Sequence, residues 1–317
     1  MSSIDFGIQI EPQYGFTYGM IKEIAKTAEE IGFESIWVSD HLFMTQDSID
    51  INCLECWTTL TAIALETKRL RLGPMVSSQS YRNPALMANI AASLDHISKG
   101  RVNYGIGAGW KEVEYLAYGY EFPSALTRIK QLREAIVIAK KLWTEEKASY
   151  EGDYYKIKEA ICYPQPVQDP SIPIWVGGMG NNTLEVAAEH ADAVNFAWST
   201  PIVKFRERLQ VLENHCSELG TDYDAIRKSA GLMITMASTK KKLKYKLEEQ
   251  EKNRDTPYRR YLSRQPPNII GIPDQVKNSI EKYIELGVDH FILRFNFGEE
   301  VDSLKLFSKK ILKNYYN

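Results

Sequence analysis

Apolar positions along the chain repeat one two-part figure. A stretch with apolar residues at helical spacing ends at a small residue, and a short, nearly continuous apolar run follows. MIKEIAKTAEEIG carries Ile21, Ile24, Ala25, Ala28 and Ile31 on one face, stops at Gly32 and leads into FESIWVSD. NPALMANIAASLDHISKG leads into RVNYGIG. There Asn83 suits the N-cap, Pro84 suits the first helical position, and Leu86, Ile90, Leu94 and Ile97 form the expected buried stripe. NTLEVAAEHA before DAVNFAW and QVKNSIEKYIELG before VDHFILRF repeat the figure. Because the runs are continuously apolar rather than alternating, they read as parallel strands covered on both faces. Eight strands are expected, over 5–10, 35–39, 70–77, 102–107, 173–176, 193–197, 229–236 and 290–295. Eight alternating β/α units in this length predict an α/β fold, a (β/α)8 TIM barrel in one domain spanning 1–317, ahead of an open doubly wound sheet.

Two insertions interrupt the repeat, after strands four and seven. Residues 147–173 read as a small hairpin and a proline-punctuated connection, and 239–273 as a lysine-rich helix followed by RDTPYRRYLSRQPPNIIGIP. Long insertions on a barrel serve as lids or active-site walls, although a charged one is also consistent with a solvated surface.

Composition narrows the function classes. The chain has 317 residues, 44% of them apolar and 25% charged, and a net charge of −2, which gives no reason to expect nucleic-acid or membrane partners. No apolar run approaches the roughly 20 residues of a membrane span. MSSIDFGIQI lacks a basic region ahead of an apolar one, so a cytoplasmic location is expected. Cys53 and Cys56 form a CxxC, but with no second CxxC and no HxxxH they read as two thiols where a helix begins, against a redox pair or half a zinc site.

In such a barrel, residues at the C-terminal strand ends converge on one mouth. Those ends carry Gln9 and Glu11; Ser39, Asp40 and His41; PMVSSQSYRNP; GIGAGW; GGMGNN; Asn195 and Trp198; and Arg294 and Asn296. Gly177, Gly178 and Gly180 stand directly before a helix, where bare backbone N–H groups and the helix dipole can meet a phosphate, or where a tight turn is needed. Gly105, Gly107 and Gly109 follow a GxGxG spacing, not the GxGxxG of a dinucleotide fold. His41 can shuttle a proton near neutrality or bond within its loop. Glu55 is either a buried acid at the mouth or a first-turn carboxylate.

With these segments placed, the sequence resembles the bacterial-luciferase-like family of flavin and deazaflavin oxidoreductases over about residues 4–300. The resemblance rests on WVSDHLF, RLRLGPMVSSQSYRNPALMANIAASLDHISKGR, YGIGAGWKEVEYLAYGYEFP, YPQPVQ and IPIWVGGMGNNTLEVAAEHADAVNF, and is strongest to the branch using the deazaflavin coenzyme F-420. It implies a barrel with the cofactor in its mouth and an insertion after strand seven. Asp40 and His41 would approach the ring, Met75–Val76 would form a non-proline cis peptide behind it, and Ser77 would lie at its edge. Gly107, Ala108, Gly109 and Trp110 would line its far side, and Gly177, Gly178, Met179 and Gly180 would meet the ribityl-phosphate tail. The proton donor would be His41 or Glu55, and Arg294 would face the substrate. Arg254, Arg259, Arg260 and Arg264 would meet an anionic group or lie on the surface. Trp110 stands where relatives acting on sugar phosphates commonly carry a glutamate, which speaks against such a substrate.

The expected function is hydride transfer between coenzyme F-420 and a small organic substrate, without a metal and in a homodimer. Its alternatives are an FMN-dependent monooxygenase and a flavin-binding barrel without catalysis. A Schiff-base aldolase or isomerase barrel would need a strand-end lysine, which none of the eight strands supplies.

Overall fold

A computed structural model describes residues 3–198, 200–252 and 269–316. Its strands are β1 (Asp5–Ile10), β2 (Ser35–Val38), β3 (Arg71–Pro74), β4 (Ser77–Ser78), β5 (Tyr104–Gly107), β6 (Ala148–Glu151), β7 (Lys156–Ala160), β8 (Ile174–Gly177), β9 (Ala193–Phe196), β10 (Arg227–Met236), β11 (Ile269–Gly271) and β12 (His290–Arg294). Nine of them run parallel in the order β3-β2-β1-β12-β10-β9-β8-β5-β4. Registers such as Ile8 opposite Ile36 and Leu232 opposite Leu293 align apolar residues across neighbours. Ser77 pairs with Ile106, and Leu72 bridges to Val102, so the two ends of the order meet. β3 and β4 are two parts of one strand position, parted at Met75–Val76, whose peptide bond is cis. The result is a nearly closed α/β barrel with eight strand positions.

The helices between the strands are α1 (Tyr18–Glu30), α2 (Cys56–Glu66), α3 (Pro84–Ser98), α4 (Glu112–Ala117), α5 (Ala125–Thr144), α6 (Asn181–His190), α7 (Ile202–Leu219), α8 (Lys240–Lys252), α9 (Pro273–Ile284) and α10 (Glu300–Lys310). Local chemistry sets their ends. Thr17 Oγ1 accepts from Met20 N to start α1, and Asn83 Oδ1 accepts from Ala85 N and Leu86 N to start α3. Gly32, at φ +94°, turns the chain after α1.

The stripe expected on α3 is corrected by the packing. Leu86 and Ile97 are exposed and Ile90 is half-buried; only Leu94 of the four is in the core. The buried face is instead Met87, Ala88, Ala91, Ala92, Leu94, Asp95 and Ser98, because small residues let α3 lie close against α2 and α5.

The first insertion is an antiparallel hairpin of β6 and β7, and the connection after it is tied to α3. The fully buried Asp95 accepts from Val167 N at 2.8 Å and Gln168 Nε2 at 2.8 Å. The second insertion contains α8, none of whose residues is buried. Arg254, Arg259, Arg260 and Arg264 lie outside the described residues. No described helix is long and apolar enough to cross a membrane.

The core has two layers. Between strands and helices, Phe6 lies 5.3 Å from both Phe291 and Phe307. Inside the barrel, Trp37, Met75, Trp175, Ala193 and Ile292 form a plug, with the indoles of Trp37 and Trp175 4.7 Å apart. Burying each large side chain stabilises the fold by about 1.5–3 kcal/mol. The plug fills the barrel axis below the strand ends.

Candidate active site

A cavity of about 440 Å3 opens where the strands end. Met75, Val76 and Trp198 both line it and pack on the plug, so they form its floor. Of the residues singled out from the sequence, Asp40, His41, Gly107, Ala108, Gly109, Trp110, Gly177, Gly178, Met179, Gly180 and Arg294 also line it. Ser77 and Glu55 do not.

His41 is held from behind. Its Nδ1 lies 2.9 Å from Oε2 of Glu114, a carboxylate with no exposed surface. Glu114 also accepts from Tyr81 Oη at 2.9 Å, Leu42 N at 2.9 Å and Lys111 Nζ at 2.9 Å. Burial alone would push this carboxyl up; the hydrogen bond and charge of His41, together with Lys111, outweigh it and hold it at about 2. Lys111 Nζ donates further to Met44 O at 3.0 Å, clasping the β2–α2 loop onto the start of α4. Trp110 meets the His41 ring edge-on at 5.7 Å and is 62% exposed, which places an apolar wall beside the imidazole. With Nδ1 committed, the imidazole offers Nε2 for exchange.

Asp40 is engaged differently. Arg82 Nη1 and Nη2 donate to its two oxygens at 2.7 and 3.0 Å, and Ser77 Oγ donates at 2.7 Å. Ser77 in turn accepts from Trp57 Nε1 at 2.9 Å, so it stands behind Asp40 rather than in the cavity. Glu55 caps α2, accepting from Thr58 N at 2.6 Å, and pairs with Arg82. Of the two roles open to Glu55, the geometry matches the first-turn carboxylate: it points to the helix end and stands outside the cavity.

The glycines serve the protein's own packing. A Cβ on Gly107 would lie 2.7 Å, and one on Gly177 2.5 Å, from the Val76 side chain, so the ends of β5 and β8 make room for Val76. A Cβ on Gly109, at φ +79°, would lie 1.7 Å from Tyr115 Oη. Val76 thus reaches the cavity floor through a notch between two strands.

At the far side, α6 starts at Gly180, which gives no side-chain cap, and Gly177, Gly178, Gly180 and Thr183 face the cavity. Uncapped N–H groups at the head of a 10-residue helix suit a phosphate, and a volume of about 440 Å3 suits a planar ring, so the site fits a flavin- or deazaflavin-type group. Across the cavity, buried Glu11 and Arg294 pair at 3.4 Å, with the guanidinium 4.9 Å from the Trp198 ring. Cys53 donates to His41 O at 3.2 Å. Burial pushes its thiol up to about 12, and that of Cys56 well above the usual range; such thiols stay protonated and are poor redox nucleophiles.

Glu114 received no role from the sequence. KEVEY reads as the exposed first turn of a helix, and only the β2–α2 loop folding over it makes Glu114 a buried anchor. Lys111 is hidden for the same reason, and Tyr81 because nothing local turns the β4–α3 loop back onto Glu114. The one signal was the Lys111–Glu114 spacing of three residues.

Residues 3–290 match the profile of a family described as luciferase-like monooxygenase. Over 311 residues, 90% of each chain, the protein is 29% identical to the F-420-dependent glucose-6-phosphate dehydrogenase of Microbacterium testaceum. It is 33% identical over 197 residues to the 5,10-methylenetetrahydromethanopterin reductase of Archaeoglobus fulgidus, covering 62% of this chain and 54% of that one. The solved coenzyme F-420-dependent tetrahydromethanopterin reductase of Methanopyrus kandleri shares the fold, with a TM-score of 0.81 at 22% identity over 99% of this chain and all of that one.

Proposed function

The chain belongs to the luciferase-like monooxygenase family, and from that premise we propose that it is an oxidoreductase using the deazaflavin coenzyme F-420 to pass a hydride to or from a small organic substrate. The observation that carries this reading is His41, which lines the cavity with one ring nitrogen locked to a buried carboxylate. The F-420-dependent relatives support the choice of cofactor.

When bound, a deazaflavin supplies a two-electron hydride carrier that activates oxygen poorly. The backbone N–H groups at the head of α6, beside the turn Gly177–Gly180, would hold its phosphate. Gly107, Ala108, Gly109, Met75 and Val76 give the ring a flat, largely backbone-lined slot. Glu114 fixes the His41 ring through Nδ1, so a proton leaves or arrives at Nε2. Asp40, engaged by Arg82 and Ser77, keeps the β2–α2 loop in place. Trp110 and Trp198 exclude water on the substrate side, and Arg294, balanced by Glu11, contacts the substrate. Exposed Leu86 and Ile97 on α3 are the residues through which a homodimer would form.

The same α6 turn would also accept the phosphate of FMN, and the family description names monooxygenases. Titrating both cofactors by fluorescence quenching separates the readings. Tight binding of F-420 is expected. Binding of FMN with no response to F-420 would overturn the proposal in favour of the monooxygenase, and binding of neither would overturn the oxidoreductase reading itself.

A further inference from the structure

A chain of hydrogen bonds runs from the cavity into the barrel axis. Asn195, on β9, lines the cavity yet is only 1% exposed. Its Nδ2 donates to Ser229 Oγ at 2.9 Å, and Ser229 Oγ lies 2.9 Å from Nδ1 of the fully buried His290. On the other side of that ring, Nε2 faces Ser35 Oγ at 3.1 Å and Glu34 Oε2 at 3.5 Å. Ser35 Oγ accepts from Trp37 Nε1 at 2.9 Å.

The links share one consistent direction. Burial lowers the His290 pKa and favours a neutral ring with one N–H. Glu34, which His290 and Ser35 hold ionised at about 2 against the cost of burial, can only accept. The anionic Glu34 and the Ser35 hydroxyl on the Nε2 side favour the ring hydrogen there, which leaves Nδ1 as an acceptor. Ser229 donates its hydroxyl hydrogen to Nδ1 and is left to accept from Asn195 Nδ2. The amide nitrogen is thereby turned inward, and Oδ1, for which the described residues show no donor, is turned to the cavity. The backbone of Asn195 adjoins the glycine turn, since Gly178 N donates to its carbonyl at 3.2 Å.

We infer that Asn195 is a cofactor-binding residue whose side-chain oxygen accepts a hydrogen bond from a neutral donor of the bound flavin or deazaflavin, and that Ser229 and His290 are positioning residues that fix its orientation. The donor is the imide N–H of the ring or a hydroxyl of the ribityl chain. The inference rests on the cofactor class proposed above.

Dissociation constants for F-420, or for FMN if that is the cofactor bound, test it together with the visible spectrum of the complex. Asn195→Ala is expected to weaken binding about tenfold, as for one lost hydrogen bond. Ser229→Ala is expected to weaken it by a smaller factor, and Ser229→Thr, which keeps the hydroxyl, to restore it. A cofactor band that moves in Asn195→Ala assigns the donor to the ring imide; weakened binding with an unmoved band assigns it to the ribityl chain. In the wild-type protein, 15N shifts of His290 should report the Nε2–H form. Wild-type affinity in Asn195→Ala or Ser229→Ala, or the Nδ1–H form of His290, would overturn the inference. A wild-type protein that binds neither cofactor would instead sink the functional reading on which it stands.

Discussion

His41 and Glu114 share one hydrogen bond, Nδ1 to Oε2 at 2.9 Å, at a carboxylate with no exposed surface. A carboxyl held below its ordinary value stabilises the fold above its unfolded pKa and loses that contribution as pH falls through the folded one. For Glu114 the contribution is complete above about pH 5 and disappears as pH falls to about 2. Glu114→Gln should therefore be less stable than wild type at neutral pH by roughly 3 kcal/mol, with the gap closing in acid. Urea unfolding across pH measures it, and a gap independent of pH would reject the account. Turnover should fall at least about tenfold, the loss of one oriented proton-transfer group, while cofactor affinity is kept.

Val76 and the two glycines beside it form a second testable unit. Gly107→Ala and Gly177→Ala should each cost about 1–3 kcal/mol by overpacking against Val76. Combining either with Val76→Ala should recover much of that loss, because the valine methyls are what the new Cβ meets. Additive losses in the double-mutant cycle would show that the clash lies elsewhere.

Glu55 and Arg82 separate a helix cap from a buried pair. Glu55→Gln should lower stability by about 0.5–1 kcal/mol and leave turnover within about twofold, since Glu55 stands outside the cavity. Arg82→Met strands the Asp40 carboxylate, whose side chain is 1% exposed, and should cost about 3–5 kcal/mol. Thermal unfolding and steady-state rates check both; a severe loss of turnover in Glu55→Gln would return Glu55 to the proton-donor role.

The outward stripe of α3 predicts the assembly. Leu86→Glu combined with Ile97→Glu should convert a dimer into a folded monomer, read by light scattering with circular dichroism as the control for folding. A wild-type monomer, or a variant that remains dimeric, would remove α3 from the interface.

The strand positions needed little tertiary information. Apolar continuity marked eight covered strands, helical spacing between them left only a barrel or an open sheet, and the cap at Asn83 followed from residues three positions apart or closer. The convergence of Asp40, His41, Gly107–Trp110, Gly177–Gly180 and Arg294 on one cavity likewise follows from each standing at a strand end. What a strand-end side chain does there was not local information. Asp40 and His41 are neighbours in sequence, yet one is consumed by Arg82 from the β4–α3 loop and the other is aimed by Glu114 from α4. The face of α3 turned inward differs from the expected stripe of Leu86, Ile90, Leu94 and Ile97, because its apolar residues surround the helix and only the fit of alanines against α2 and α5 selects one side. Periodicity is a property of a single segment and can be read from it, whereas the charge state and orientation of a buried group depend on the elements packed against it. For that reason the sequence alone determined the alternation of strands and helices and most of the residues at the mouth, and the tertiary structure alone decided that Glu55 caps a helix while Glu114 holds the histidine.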